Sequence, residues 1–189
     1  MKRIFFFALQ ALFIPYVFSQ ESIFKKEQVD INFGVGFITP LFDLEELSVK
    51  TTVPPLILTI DKGITNEISI GAYFAHSKSS VYQNLYDNNG NIYYGKSSTL
   101  RHFIIGGRLL YHFPVLKKAD VYCGGMLGYN VFKEKEEPNV LLIAGPSKLK
   151  AFTYSILGGI RYKLAPAIGL YSELGYGVTV VSIGLNFSF

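Results

Sequence analysis

The 189-residue chain has no tryptophan and a single cysteine, Cys123. One cysteine excludes an intrachain disulfide framework, so stability has to come from packing or pairing within the fold. Charge is also scarce: Asp, Glu, Lys and Arg make up 17% of the chain, below the ~25% usual for soluble domains. Beyond residue 19 no apolar stretch reaches the ~20 residues that a spanning helix needs, because glycines, charges and polar residues interrupt every candidate. A helical membrane protein is therefore excluded. There is no paired-histidine metal motif, no Gly-x-Ser-x-Gly elbow and no phosphate loop, so neither a metal nor a cofactor is expected. What is abundant is glycine, tyrosine and phenylalanine, a composition far from that of a disordered chain.

The N-terminus is read separately. Lys2 and Arg3 precede an almost continuous apolar run from Ile4 to Val17, broken by Gln10 and Pro15, and Val17 and Ser19 are small enough for a cleavage site before Gln20. The run is short for a spanning helix, and Pro15 breaks it. Residues 1–19 are expected to be a signal peptide and 20–189 the mature domain. Losing Lys2 and Arg3 takes the formal charge from +4 to +2, which leaves no electrostatic footprint for nucleic acid.

Period-two alternation then runs through the whole mature chain. Ile31, Phe33, Val35 and Phe37 alternate with Asp30, Asn32, Gly34 and Gly36 in a first strand over 29–38. Further strands are predicted over 56–62, 67–77, 99–113, 119–132, 151–164, 167–175 and 178–189. Pro54 and Pro55 are expected to end the first connection, and Asp87 to Asn91 reads as the tip of a long hairpin. Connections near 39–53, 78–98 and 133–150 are long, whereas those near 63–66, 114–118 and 165–166 are short; 175–177 breaks the rule. Such a division predicts an all-β, eight-stranded antiparallel up-and-down barrel with long loops at one end and both termini at the other, as in transmembrane barrels.

Alternation alone does not separate a membrane barrel from a soluble lipocalin-like one. The polar face decides. It is rich in glycine (Gly34, Gly36, Gly71, Gly106, Gly124, Gly128, Gly159, Gly169, Gly184), which suits the crowded inside of a narrow barrel and would leave a solvent face bare. The same face carries Asp61, Glu67, Arg108, Asp120, Arg161, Lys163 and Glu173, expected to form a network of lumen ion pairs. Tyr and Phe cluster near strand ends, as an interfacial girdle would.

His76, His102 and His112 are the only histidines. His102 and His112 share a face, but ten residues of strand separate them by roughly 33 Å, too far for one metal. A lipid-modifying enzyme is the main catalytic alternative, with His76 near Ser77, Ser79 and Ser80. Adjacent strand residues face opposite ways, however, and the residue two beyond His76 is Lys78 rather than a serine. No catalytic residue is assigned. Tyr82, Tyr86, Tyr93 and Tyr94 in the segment 78–98 offer apolar contact with a polar tip, which suits a recognition loop for a protein partner; a girdle and strand extension is the competing reading.

Several stretches resemble the small outer-membrane β-barrel proteins of Bacteroidota, broadly similar to the OmpA-like and OmpX-like barrels. They are Phe18-Ser19-Gln20, Pro54-Pro55-Leu56, the segment from Gly63 to Gly71, Gly158-Gly159-Ile160-Arg161-Tyr162, and Glu173-Leu174-Gly175-Tyr176-Gly177. Terminal Phe189 resembles the signal read by the barrel-insertion machinery. The resemblance implies a cell outer-membrane location, contact with outer-membrane lipid and a porin-like fold. It carries no catalytic residue onto this chain, so the expected role is structural, accessory or loop-mediated binding.

Overall fold

A computed structural model describes residues 23–37, 48–86, 92–116, 118–135 and 151–189. The segment read as a signal peptide, the hairpin tip 87–91 and the charged run after Lys135 lie outside the described residues. Eight strands follow in chain order: β1 (Val29–Phe37), β2 (Ser48–Gly63), β3 (Ile68–Tyr86), β4 (Ile92–Phe113), β5 (Ala119–Lys135), β6 (Phe152–Ala165), β7 (Ile168–Tyr176) and β8 (Val181–Ser188). Each pairs antiparallel with the next, and β8 returns to β1 to close the barrel. Closure leaves no open edge, so every strand has a partner for the backbone groups on both sides.

Burial follows the two-residue period. In β1 the buried positions are Asp30, Asn32, Gly34 and Gly36, while Phe33 and Phe37 are exposed. The arrangement is inside-out relative to a soluble protein. Ile156, Leu127, Leu174, Leu109 and Phe152 all present more than half of their surface outward, whereas Asn32, Thr59, Asp61, Ser69 and His112 are completely buried in the lumen.

Three sequence expectations need correction. The second strand begins at Ser48, not Leu56. Pro54 and Pro55 lie within it because they fall between the pairs Val53–Lys78 and Leu56–His76, where β2 carries an extra residue. At such a bulge a missing N–H costs no ladder bond. Residues 78–86 and 92–98 do not form a loop but continue β3 and β4, paired from Ser79–Leu100 out to Tyr86–Ile92. These are the longest strands of the barrel, and their hairpin runs beyond its neighbours. Finally, Glu67 is not the first residue of a strand. The Thr65 hydroxyl accepts hydrogen bonds from the Glu67 and Ile68 amides, closing a tight turn that leaves Glu67 exposed.

The lumen is filled in two storeys. Toward the long-connection end, Ile57, Tyr73, Ala75, Ile104, Met126 and Val178 form an apolar cluster. Val178 and Thr179 come from the β7–β8 connection, which dips inward after Gly177; that glycine has φ of 137°, a conformation other residues rarely adopt. At the other end the N-terminal segment crosses the mouth. Phe24 is buried there, and the Glu27 amide donates to the Gly63 carbonyl. A cavity beside Tyr73, Met126 and Glu173 has a volume of about 10 Å³, the size of one water.

Inward glycines create the space for these large side chains. A Cβ on Gly159 would lie 2.5 Å from the Tyr122 ring, and one on Gly34 would collide with the Tyr171 hydroxyl. Gly159→Val should therefore force Tyr122 out of place and destabilise the barrel by about 1–3 kcal/mol, the usual range for overpacking. Gly158→Val on the outward face, where a Cβ meets nothing closer than 3.8 Å, should be tolerated; urea unfolding in detergent micelles followed by circular dichroism separates the two.

Candidate functional site

The densest chemistry lies in the lower lumen, where two arginines meet four carboxylates. The Arg161 guanidinium reaches three aspartates on three strands. Its Nη1 lies 3.3 Å from Asp30 and 3.2 Å from Asp120, and its Nη2 donates to Asp61. The plane sits over the Tyr122 ring at 4.4 Å from the centroid, a cation–π placement that favours a desolvated arginine. Arg108 Nη2 donates to Glu173 Oε1 at 2.7 Å, and Tyr122 donates to the same oxygen at 2.8 Å. Arg108 Nε stands 3.0 Å from Asp61 Oδ1. That contact is a close approach of charges rather than an aligned hydrogen bond, since neither atom meets hydrogen-bond geometry.

The carboxylates outnumber the guanidinium groups by two, and neutral donors make up part of the difference. Asp30 accepts from Gln28, Asn186 and Ser188. Asn186 also donates to Asn32, which donates to Thr59 at 2.7 Å. His112 completes the group: Nδ1 lies 2.9 Å from Asp120, Nε2 lies 2.9 Å from the Ser69 hydroxyl, and the ring stacks on Phe24 at 3.6 Å. An ionised carboxylate can only accept, so Nδ1 carries the proton; in the neutral ring Nε2 then accepts from Ser69.

Local pairing explains why these groups meet. Asp30 lies directly opposite Asp61 in the β1–β2 ladder, and Asp120 directly opposite Arg161 in β5–β6. Like charges opposite one another are unfavourable, and Arg161 offsets the Asp30–Asp61 repulsion by contacting both. Gly71 stands between Asp61 and Arg108, and Gly159 between Tyr122 and Glu173, on the intervening strands. With no side chain there, the partners on either side reach each other.

Of the seven residues predicted for the lumen, Asp61, Arg108, Asp120, Arg161 and Glu173 are thus brought together. Glu67 is exposed at the turn, where Tyr111 donates to it at 3.4 Å. Lys163 is half-buried beside the β6–β7 turn, where the ladder is irregular, and makes none of the ion pairs of the described residues. The sequence reading missed Asp30, Ser69, Tyr122, Asn186 and Ser188 as members. Their inward parity was a usable signal. Phe24 carried none, because it precedes the first alternating segment.

Ser69, His112 and Asp120 are linked as a serine nucleophile, its base and the base's orienting acid would be. Ser69 and His112 are fully buried, Phe24 covers the imidazole, and both residues lie within or beside the β3–β4 ladder. His76, the histidine weighed in the sequence, is exposed and bonds through Nδ1 to the His102 carbonyl at 3.0 Å. Among the described residues no group of three or more His, Cys, Asp or Glu is arranged to hold a metal. At the rim, Lys62 pairs with Glu27 at 2.8 Å and holds that carboxyl below its ordinary pKa by hydrogen bond and charge.

No family model matches the chain, and no curated protein matches it. Solved structures do. OprG, an outer membrane protein of Pseudomonas aeruginosa, aligns with a TM-score of 0.57 at 12% identity, over 88% of this chain and 97% of that one. The N-terminal β-barrel domain of OprF from the same organism aligns at 0.50 and 10% identity, over 87% and 98%. Ail, the attachment invasion locus protein of Yersinia pestis, aligns at 0.46 and 10% identity, over 87% and 99%. At such identities the likeness to OprG and the OprF domain shows the fold alone, a small barrel of the kind found in outer membranes.

Breaking the cluster should be costly. Arg161→Gln would leave three aspartates facing one another in a closed space, a loss of about 3–5 kcal/mol if the site is dry. Lys62→Gln, which removes an exposed pair at the rim, should cost at most about 1 kcal/mol. Urea midpoints in micelles measure both; equal effects would mean that the lumen charges are hydrated and weakly coupled.

Proposed function

We propose that the protein is a non-enzymatic barrel of the outer membrane, with a structural or accessory role and a binding surface on its protruding hairpin. The observation that carries this reading is the filled lumen beneath an apolar outer face. Charge cluster, apolar storey and Phe24 occupy the described lumen, and the cavity beside Tyr73, Met126 and Glu173 has room for about one water. The exposed belt of Ile, Leu, Phe and Tyr far exceeds what a soluble monomer exposes, and it is what a lipid-facing wall requires.

Residues 1–19 act in this reading as the export signal. Phe189, exposed and paired through its backbone with Val29, serves as the mark for the insertion machinery. Tyr82, Tyr86 and Tyr94 lie on the paired extension of β3 and β4, and Tyr93 lies within β4, so recognition would come from a ribbon rather than a loose loop. Bacteroidota membership rests on the sequence signatures alone.

The full-length protein should fractionate with outer membranes, resist carbonate extraction and migrate faster on gels before boiling than after. In planar bilayers it should give no large steady conductance, and a fluorophosphonate probe should leave Ser69 unlabelled. Recovery as a soluble periplasmic monomer would reject the membrane reading; labelling abolished by Ser69→Ala would favour the lipid-modifying enzyme.

A further inference from the structure

The outward face of the barrel carries a pair of basic residues, Lys78 and Arg101, that neither the lumen nor the hairpin accounts for. In the ladder Lys78 on β3 stands opposite Arg101 on β4, and Arg101 stands opposite Lys133 on β5. Arg101 is exposed and Lys78 half-exposed, and both have the parity of the outward residues Phe74, Phe103 and Ile105. Like charges directly opposite on one face repel and destabilise a sheet. Among the described residues no carboxylate pairs with Lys78 or Arg101; the ion pairs lie in the lumen and at the other rim. An anion from outside the chain would relieve the repulsion.

The height of the pair says what that anion is. Outward apolar residues of β4 run from Phe103 to Phe113. About ten residues at ~3.3 Å each, tilted by ~40°, give a belt ~25 Å tall, the apolar height of an outer-membrane barrel. Arg101 is the next outward position past Phe103, so the pair lies at the edge of the belt on the long-connection side. Elsewhere on that edge, among the described residues, Phe37, Phe152 and Tyr176 are exposed, in contrast to the basic pair on β3 and β4. The two neighbouring strands lie ~5 Å apart, within reach of one phosphate group, and an arginine fork engages phosphate in two parallel bonds.

We infer that the Lys78–Arg101 pair is a binding site for the phosphate groups of an anionic glycolipid in the outer leaflet. This inference rests on the membrane reading above, and the test keeps the two apart. Wild type, Lys78→Gln/Arg101→Gln, and Lys62→Gln as a control at the opposite rim are refolded into phosphatidylcholine vesicles with and without diphosphorylated lipid A. The temperature at which the folded, fast-migrating band is lost is then read on gels. Lipid A should raise that temperature for wild type and Lys62→Gln, and the rise should be at least halved in the double variant. Lipid A stripped of phosphate should give no rise. Should the double variant fail to insert, Lys78→Arg/Arg101→Lys, which keeps both charges, must retain the rise. Insertion with no rise in wild type, or an undiminished rise in the double variant, overturns the glycolipid site alone. Failure of the wild type to insert into either vesicle overturns the membrane reading and the site with it.

Discussion

Every strand of the barrel contributes to one buried polar cluster, and the rest of the architecture depends on keeping that cluster satisfied. Asp30 comes from β1, Asp61 from β2, Ser69 from β3, Arg108 and His112 from β4, Asp120 and Tyr122 from β5, Arg161 from β6, Glu173 from β7, and Asn186 and Ser188 from β8. Several of these bonds join strands far apart in sequence, Arg161 to Asp30 and Asp61 and Asp30 to Ser188 among them, so the cluster specifies closure: a one-residue slip of any strand would turn its member outward into the apolar belt. A buried ion pair is weak evidence for net stability, because desolvation offsets much of the attraction. Its contribution here is register.

Two constraints follow from placing charge inside. Long side chains need room, which explains the inward glycines on strands between partners: Gly71 between Asp61 and Arg108, Gly159 between Tyr122 and Glu173. The ends must also be shielded. Phe24 stacks on His112 at one mouth, and Val178 and Thr179 dip into the other half of the lumen. Side chains thereby fill much of the described lumen, and the proposed contacts lie on the outer surfaces: the β3–β4 ribbon and the basic pair below it.

Much of this was legible in the sequence because a strand's two-residue period assigns a face to each residue without knowledge of its neighbours. Parity alone put Arg108, Arg161 and Glu173 on one side and Phe103, Ile105 and Leu109 on the other. It failed where a local bond competes with the ladder: Thr65 captures the Glu67 and Ile68 amides and removes Glu67 from the strand. It failed again where a bulge lets proline stay within a strand, at Pro54 and Pro55. The polar, tyrosine-rich stretch around Tyr82–Tyr94 looked like a loop because neither face of a ribbon beyond the belt needs to be apolar. Phe24 was invisible because its contact is tertiary. Which partner each lumen charge takes depends on strand stagger, and alternation carries no information about stagger.

The central claim is that lipid contacts the wall and protein fills the interior. Leu127 lies midway along outward-facing β5 and is 62% exposed. A nitroxide attached at Leu127→Cys in a Cys123→Ser background, with the barrel in lipid vesicles, reports its surroundings through collisions with dissolved oxygen and with a water-soluble nickel complex. A lipid-facing wall should give frequent collisions with oxygen and few with nickel. Dominant nickel collisions at residue 127 would place this face in water and contradict the inside-out arrangement.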